Sequence, residues 1–99
     1  MAKPSPSFAG DPALVKIGEV IRRTRKVRGL SQELLAVDAG VDRSYMGGIE
    51  RGEHNLTVMT LIRIAAALDC KVSVLLGTAD VQRFDASYQK RRSAPNYLN

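Results

Sequence analysis

Apolar positions recur at helical spacing through most of the chain. Leu14, Ile17 and Ile21 stand at i, i+3 and i+7 behind Asp11-Pro12, a carboxylate that can accept from free amides followed by a residue with no amide to satisfy. This predicts a first helix ending near Arg28, where Gly29 supplies a left-handed residue past the last turn. Ser31 is expected to cap a second helix with Leu34, Leu35 and Ala39 on its inner side, broken by Gly40. Asp42 is expected to cap a third that runs to Arg51 before Gly52. Thr57 begins a fourth, whose Leu61, Ile64, Ala65 and Leu68 keep the i, i+3, i+4, i+7 pattern. Ser73 is the expected cap of a last short turn, Val74-Leu75-Leu76, stopped by Gly77. No segment alternates like a strand between turn dipeptides, although residues 71–76 come nearest. The expected fold class is all-α, with five helices over residues 12–77.

The flanks lack this pattern. Residues 1–11 are rich in Pro, Ser and Gly and are expected to form a flexible N-terminal arm. Residues 78–99 are expected to form a C-terminal tail. In it Val81, Phe84 and Tyr88 fit one side of a short helix, and the aperiodic remainder is expected to be disordered.

Composition narrows the function classes. The 99 residues suit one domain, and 44% hydrophobic with 25% charged residues is an ordinary globular balance. One cysteine, Cys70, and one histidine, His54, supply neither an internal disulfide nor a metal cluster, so no metal or cofactor is expected. The same scarcity argues against nucleophilic or acid–base catalysis, and the chain is not expected to be an enzyme. Cys70 reads as a small buried residue and His54 as a solvated one. Residues 1–12 have no apolar core of a signal peptide and no run is long enough to span a membrane, so a cytoplasmic protein is expected.

The net charge of +5 is unevenly placed. Residues 13–51 hold eight basic and five acidic groups, and the tail adds a further excess. Five cations fall within residues 22–28, at the end of the first helix, where they complement the helix dipole and add long-range attraction for an anionic partner.

Residues 32–51 carry the chemistry. Two short helices joined through Gly40-Val41-Asp42 form a helix-turn-helix, with Leu35, Ala36, Ala39, Val41, Met46 and Ile49 at the steep crossing. In the third helix Tyr45, Met46 and Ile49 share the inward face, and Arg43, Ser44, Gly47, Gly48 and Arg51 are assigned to the outer one. Adjacent glycines inside a helix cost about 1 kcal/mol each relative to alanine. They fit close approach to the walls of a DNA groove, or else a kink or tight packing against a neighbour. Glu50 is expected to pair with Arg22 or Arg23 and brace the first helix.

The stretches Leu30-Ser31-Gln32-Glu33-Leu34, Ala39-Gly40-Val41 and Ile49-Glu50-Arg51-Gly52, with the helix from Leu61 to Leu68, resemble the lambda-repressor-like, XRE-type helix-turn-helix family. Asp42-Arg43-Ser44-Tyr45 before Ile49-Glu50-Arg51-Gly52 is also similar to controller proteins of restriction–modification systems. The chain departs from the family pattern at Leu56, usually proline, and at Asp69-Cys70, usually Gly-Val. The resemblance implies a transcriptional regulator, a repressor or autoregulator, that lays its third helix in the major groove. Arg43, Ser44, Gly47 and Gly48 would then read bases, with Ser44 reaching a base or a phosphate. Gln32, Tyr45, Arg51 and Asn55 would meet phosphates, Tyr45 serving there or in the core. It also implies a homodimer paired through Val72, Val74, Leu75 and Leu76 on a near-palindromic duplex, with Leu75 alternatively closing the core. The alternative reading is an antitoxin-type module whose tail binds a partner protein.

Overall fold

Short polar side chains start the helices where the pattern asks for them. In the structure, a computed structural model that describes residues 8–77, the order is α1 (Pro12–Val27), α2 (Gln32–Ala39), α3 (Arg43–Glu50), α4 (Val58–Ala67) and α5 (Val72–Leu76). Asp11 accepts from the Ala13 amide at 2.9 Å, and Ser31 from Leu34 at 3.1 Å. Asp42 accepts from Ser44 and Tyr45, and Thr57 from Thr60. Each satisfies an amide that the first turn leaves without a partner. Gly40 closes α2 in the left-handed conformation (φ 70°), which turns the chain into Val41 and Asp42.

α5 departs from expectation. It begins at Val72 behind Lys71, with no side-chain cap, so Ser73 lies inside it. After α4 the chain reverses through Asp69 at φ 53°, with the Cys70 amide donating to the Ala65 carbonyl. Val72 is then drawn against the core, and the helix starts there without a capping hydroxyl.

The core takes one stripe from each helix: Ile17, Val20 and Ile21; Leu35, Ala36 and Ala39; Met46 and Ile49; Leu61, Ile64 and Ala65 with Leu68; and Leu75. Leu34, expected inside, is 53% exposed. Leu35 and Ala39 occupy the buried stripe of the two-turn α2, and one residue earlier lies about 100° around the helix. Close approach of α1 to the end of α3 needs a glycine, because a Cβ on Gly18 would lie 2.5 Å from the Ile49 carbonyl oxygen. The Gly10 amide donates to the Gly52 carbonyl at 2.8 Å, so the last part of the expected arm is tied to the turn after α3. The tail positions Val81, Phe84 and Tyr88 lie outside the described residues.

Candidate nucleic-acid interface

A buried ion pair sets the angle between α1, α2 and α3. Arg25 donates from Nε to Glu50 at 2.6 Å and from Nη2 at 3.1 Å, and its Nη1 reaches the Leu30 carbonyl at 2.8 Å. Gln32, the first residue of α2, donates from Nε2 to the same carboxylate at 2.9 Å. The expected partners Arg22 and Arg23 are both exposed, which corrects the pairing. Arg25 follows Ile21 by one turn and so continues the inward stripe of α1, whereas Arg22 and Arg23 point away from it.

The pair supplies an orientation more surely than net stability, since burying two charges costs most of what their attraction returns. Its geometry leaves the start of α3 projecting beside the start of α2.

The expected site residues do not form a single cluster. Arg43 is exposed at the first position of α3 and donates from Nε to Glu33 Oε1 at 2.7 Å. Ser44 is half-buried beside it. Gln32 and Arg51 converge over Gly47, where a Cβ would lie 3.1 Å from Arg51 Nη1 and 3.7 Å from Gln32 Oε1. Tyr45 is half-buried and packs against the core, its ring centroid 4.4 Å from that of His54. Asn55 is exposed after the turn.

Three assignments are corrected. Gly48 is buried, three positions after Tyr45, and its outward space is filled by the His54 ring. Gly47 is buried as well, under the ends of Arg51 and Gln32, and glycines so covered do not present a surface to a base. His54 is itself 5% exposed rather than solvated, and its Nε2 has no hydrogen-bond partner among the described residues. Its burial leaves no periodic trace in the sequence, because it depends on the turn at Gly52 folding the loop back onto α3.

Arg51 donates to Glu53 through Nε at 2.7 Å and Nη2 at 3.3 Å. The hydrogen bond from Arg51, aided by its charge and that of His54 against some burial, holds the Glu53 carboxyl below the usual range. A depressed carboxyl is charged at neutral pH, so this contact persists there and is lost only as acid protonates Glu53. Cys70 is half-buried, and burial pushes its thiol up, against the charge of Arg28. At neutral pH it stays protonated and a poor nucleophile.

The expected dimer residues separate. Leu75 is fully buried in the core and therefore unavailable to a partner, a correction that follows from its packing under α1 and α4. Val72 is half-buried, while Val74 and Leu76 are exposed. Val58, Met59 and Ile62 on α4 are also exposed, apolar residues that the inward stripe of that helix left unremarked. Among the described residues, no cluster of three or more His, Cys, Asp or Glu is placed to hold a metal ion, and no helix is long and apolar enough to cross a membrane.

The profile of the helix-turn-helix family matches residues 21–75. Control protein C.SmaI of Serratia marcescens is 45% identical over 60 residues, covering 61% of this chain and 71% of that protein. The restriction–modification controller protein C.AhdI from Aeromonas hydrophila superposes with a TM-score of 0.62 at 47% identity, over 63% of this chain and 94% of that one. SinR, a master regulator for biofilm formation solved in complex with DNA, superposes with a TM-score of 0.58 at 41% identity, over 61% of this chain and 97% of that one. Some relatives are longer: the chain spans 42% of the immunity repressor protein of Bacillus phage phi105.

Proposed function

The chain belongs to the helix-turn-helix family, and from that premise we propose that it is a sequence-specific DNA-binding transcriptional regulator. It is a repressor or autoregulator that reads the major groove as a homodimer, at the nucleoid in the cytoplasm. The observation that carries this reading is the arrangement of α3: Arg43 at its exposed start, Gly47 buried where the ends of Gln32 and Arg51 converge over it, and the whole helix locked to α1 and α2 by Arg25 and Glu50.

Arg43 keeps Nη1 and Nη2 clear of its Glu33 contact, the edge that pairs bidentately with guanine O6 and N7. Ser44 meets a neighbouring base or phosphate. At Gly47 the missing side chain lets Arg51 and Gln32 lie close over α3, where their polar ends meet the backbone of the duplex. Gln32, Arg51 and Asn55 face the phosphates and set the register, while Tyr45 serves in the core against His54. The exposed Val74 and Leu76, with the edge of Val72, form the pairing surface, which presents two copies of α3 about 34 Å apart, one turn of duplex. Likeness to a control protein and to an immunity repressor supports regulation over a merely architectural role on DNA.

Selection of random duplexes by the purified protein at near-physiological salt tests the reading. A palindromic motif with half-sites about one turn apart is expected. A folded protein that enriches no motif overturns it and turns attention to a protein partner of residues 78–99.

A further inference from the structure

Two arginines stand on the candidate face, and each is held by a carboxylate, but in different ways. Arg51 meets Glu53 side-on, spending Nε and Nη2 together, so that Nη1 alone is left over Gly47. Arg43 meets Glu33 through Nε only, at 2.7 Å. The guanidinium is a rigid planar fork, so holding Nε on Glu33 restricts its orientation and leaves the adjacent end-on edge, Nη1 and Nη2, outside that contact.

Glu33 belongs to α2, whose start is clamped by Gln32 on the buried Glu50, so it rests on a fixed base although its own side chain is exposed. An exposed ion pair of this kind contributes little to stability. Here it selects one orientation of a long, otherwise freely rotating side chain. It also offsets the charge that would draw Arg43 to any phosphate.

We propose that Glu33 is a specificity-determining, positioning residue: it aims the outer edge of Arg43 at a guanine and suppresses the use of Arg43 on backbone phosphates. The inference rests on α3 reading the groove. It predicts that removing Glu33 leaves a binder that is less selective without being weaker overall.

The test uses the full chain and the duplex recovered by the selection, the same duplex with the guanine facing Arg43 replaced, and a random duplex. Glu33→Ala is expected to raise affinity for the random duplex about threefold to fivefold, in line with loss of one exposed charge pair. Its dependence on salt steepens by about one phosphate contact. The preference for guanine over its replacement falls by a similar factor. Glu33→Gln keeps an acceptor for Nε and is expected to keep most of that preference while still gaining on random DNA. On an Arg43→Ala background neither substitution should change the ratios, and thermal unfolding should be unchanged throughout. An equal shift on all three duplexes, or a change in ratio that persists without Arg43, overturns the proposal while leaving the groove reading intact. If Arg43→Ala alone leaves the guanine preference unaltered, the assignment of Arg43 falls and the role of Glu33 with it.

Discussion

The imidazole of His54 occupies the space that a side chain at Gly48 would need: a Cβ there would lie 2.7 Å from His54 Cδ2 and closer still to Nε2. The ring is also tilted 35° against that of Tyr45, with centroids 4.4 Å apart. Gly48, His54 and Tyr45 therefore pack as one unit. Gly48→Ala is expected to destabilise the domain by about 1–3 kcal/mol from overpacking, less the roughly 1 kcal/mol that alanine returns to a helix. In a His54→Ala background the same substitution should instead stabilise. Thermal melting of the four proteins in the cycle checks this, and a destabilising Gly48→Ala in both backgrounds would remove His54 as the cause.

The neighbouring glycine should behave in the opposite way. The atoms a Cβ on Gly47 would meet are the ends of Arg51 and Gln32, and the exposed Arg51 side chain can yield by a few tenths of an ångström while keeping its contact with Glu53. Gly47→Ala is expected to raise stability by up to about 1 kcal/mol through helix propensity. Binding to the selected duplex should weaken, because the added methyl displaces the ends of Arg51 and Gln32 that meet the phosphates. A variant that melts higher and binds as tightly as the parent would show that the placement of Arg51 and Gln32 over Gly47 does not matter to DNA.

What could be read from the sequence was mostly local. Asp11, Ser31, Asp42 and Thr57 act within three residues of themselves, and all four cap as their spacing implies. The roles of Leu34 and Gly48 depend instead on which side of a short helix meets its neighbour. Two turns hold too few apolar residues to define that to better than one position. Arg25 was within reach, since it extends the Ile17–Ile21 stripe by one turn, but a run of five cations hid the one that turns inward. The joining of Glu33 to Arg43 across the turn, and of His54 to Gly48, exists only once the helices are packed.

Breaking the Arg25–Glu50 pair from one side should be far worse than removing it whole. The Glu50 side chain is 2% exposed, and Arg25→Ala leaves its charge buried with only the Gln32 amide beside it. The expected loss is about 3–5 kcal/mol, most of the stability of a small domain. A double replacement by apolar residues of similar size, Arg25→Met with Glu50→Leu, should recover much of that. Urea unfolding checks the order, and a double variant no more stable than Arg25→Ala would contradict it.

Asp69 ends α4 in the left-handed region at φ 53°, a conformation that a residue with a Cβ adopts at a cost. Its carbonyl accepts from Arg28 at 3.1 Å, a contact made by backbone and kept by any residue there. Asp69→Gly is therefore expected to stabilise the domain by about 0.5–1 kcal/mol. Thermal unfolding measures it; a destabilised variant would mean that the Asp69 side chain contributes more than the strain costs.

Arg43 and Arg51 should separate on DNA because their guanidinium groups are held differently. Arg43→Ala removes a bidentate base contact and is expected to cost about 1–3 kcal/mol on the selected duplex, flattening the preference at one position. Arg51→Ala removes a phosphate contact, so affinity should fall by a similar factor on selected and random duplexes, and the slope of affinity against salt should become shallower by about one. It also frees Glu53, whose charge then adds repulsion near the backbone and enlarges the loss at low salt. Titrations of both variants on both duplexes at two or more salt concentrations measure these effects. Identical losses by the two variants on the selected duplex, with identical losses on the random one, would mean that neither arginine reads sequence and that specificity lies elsewhere on α3.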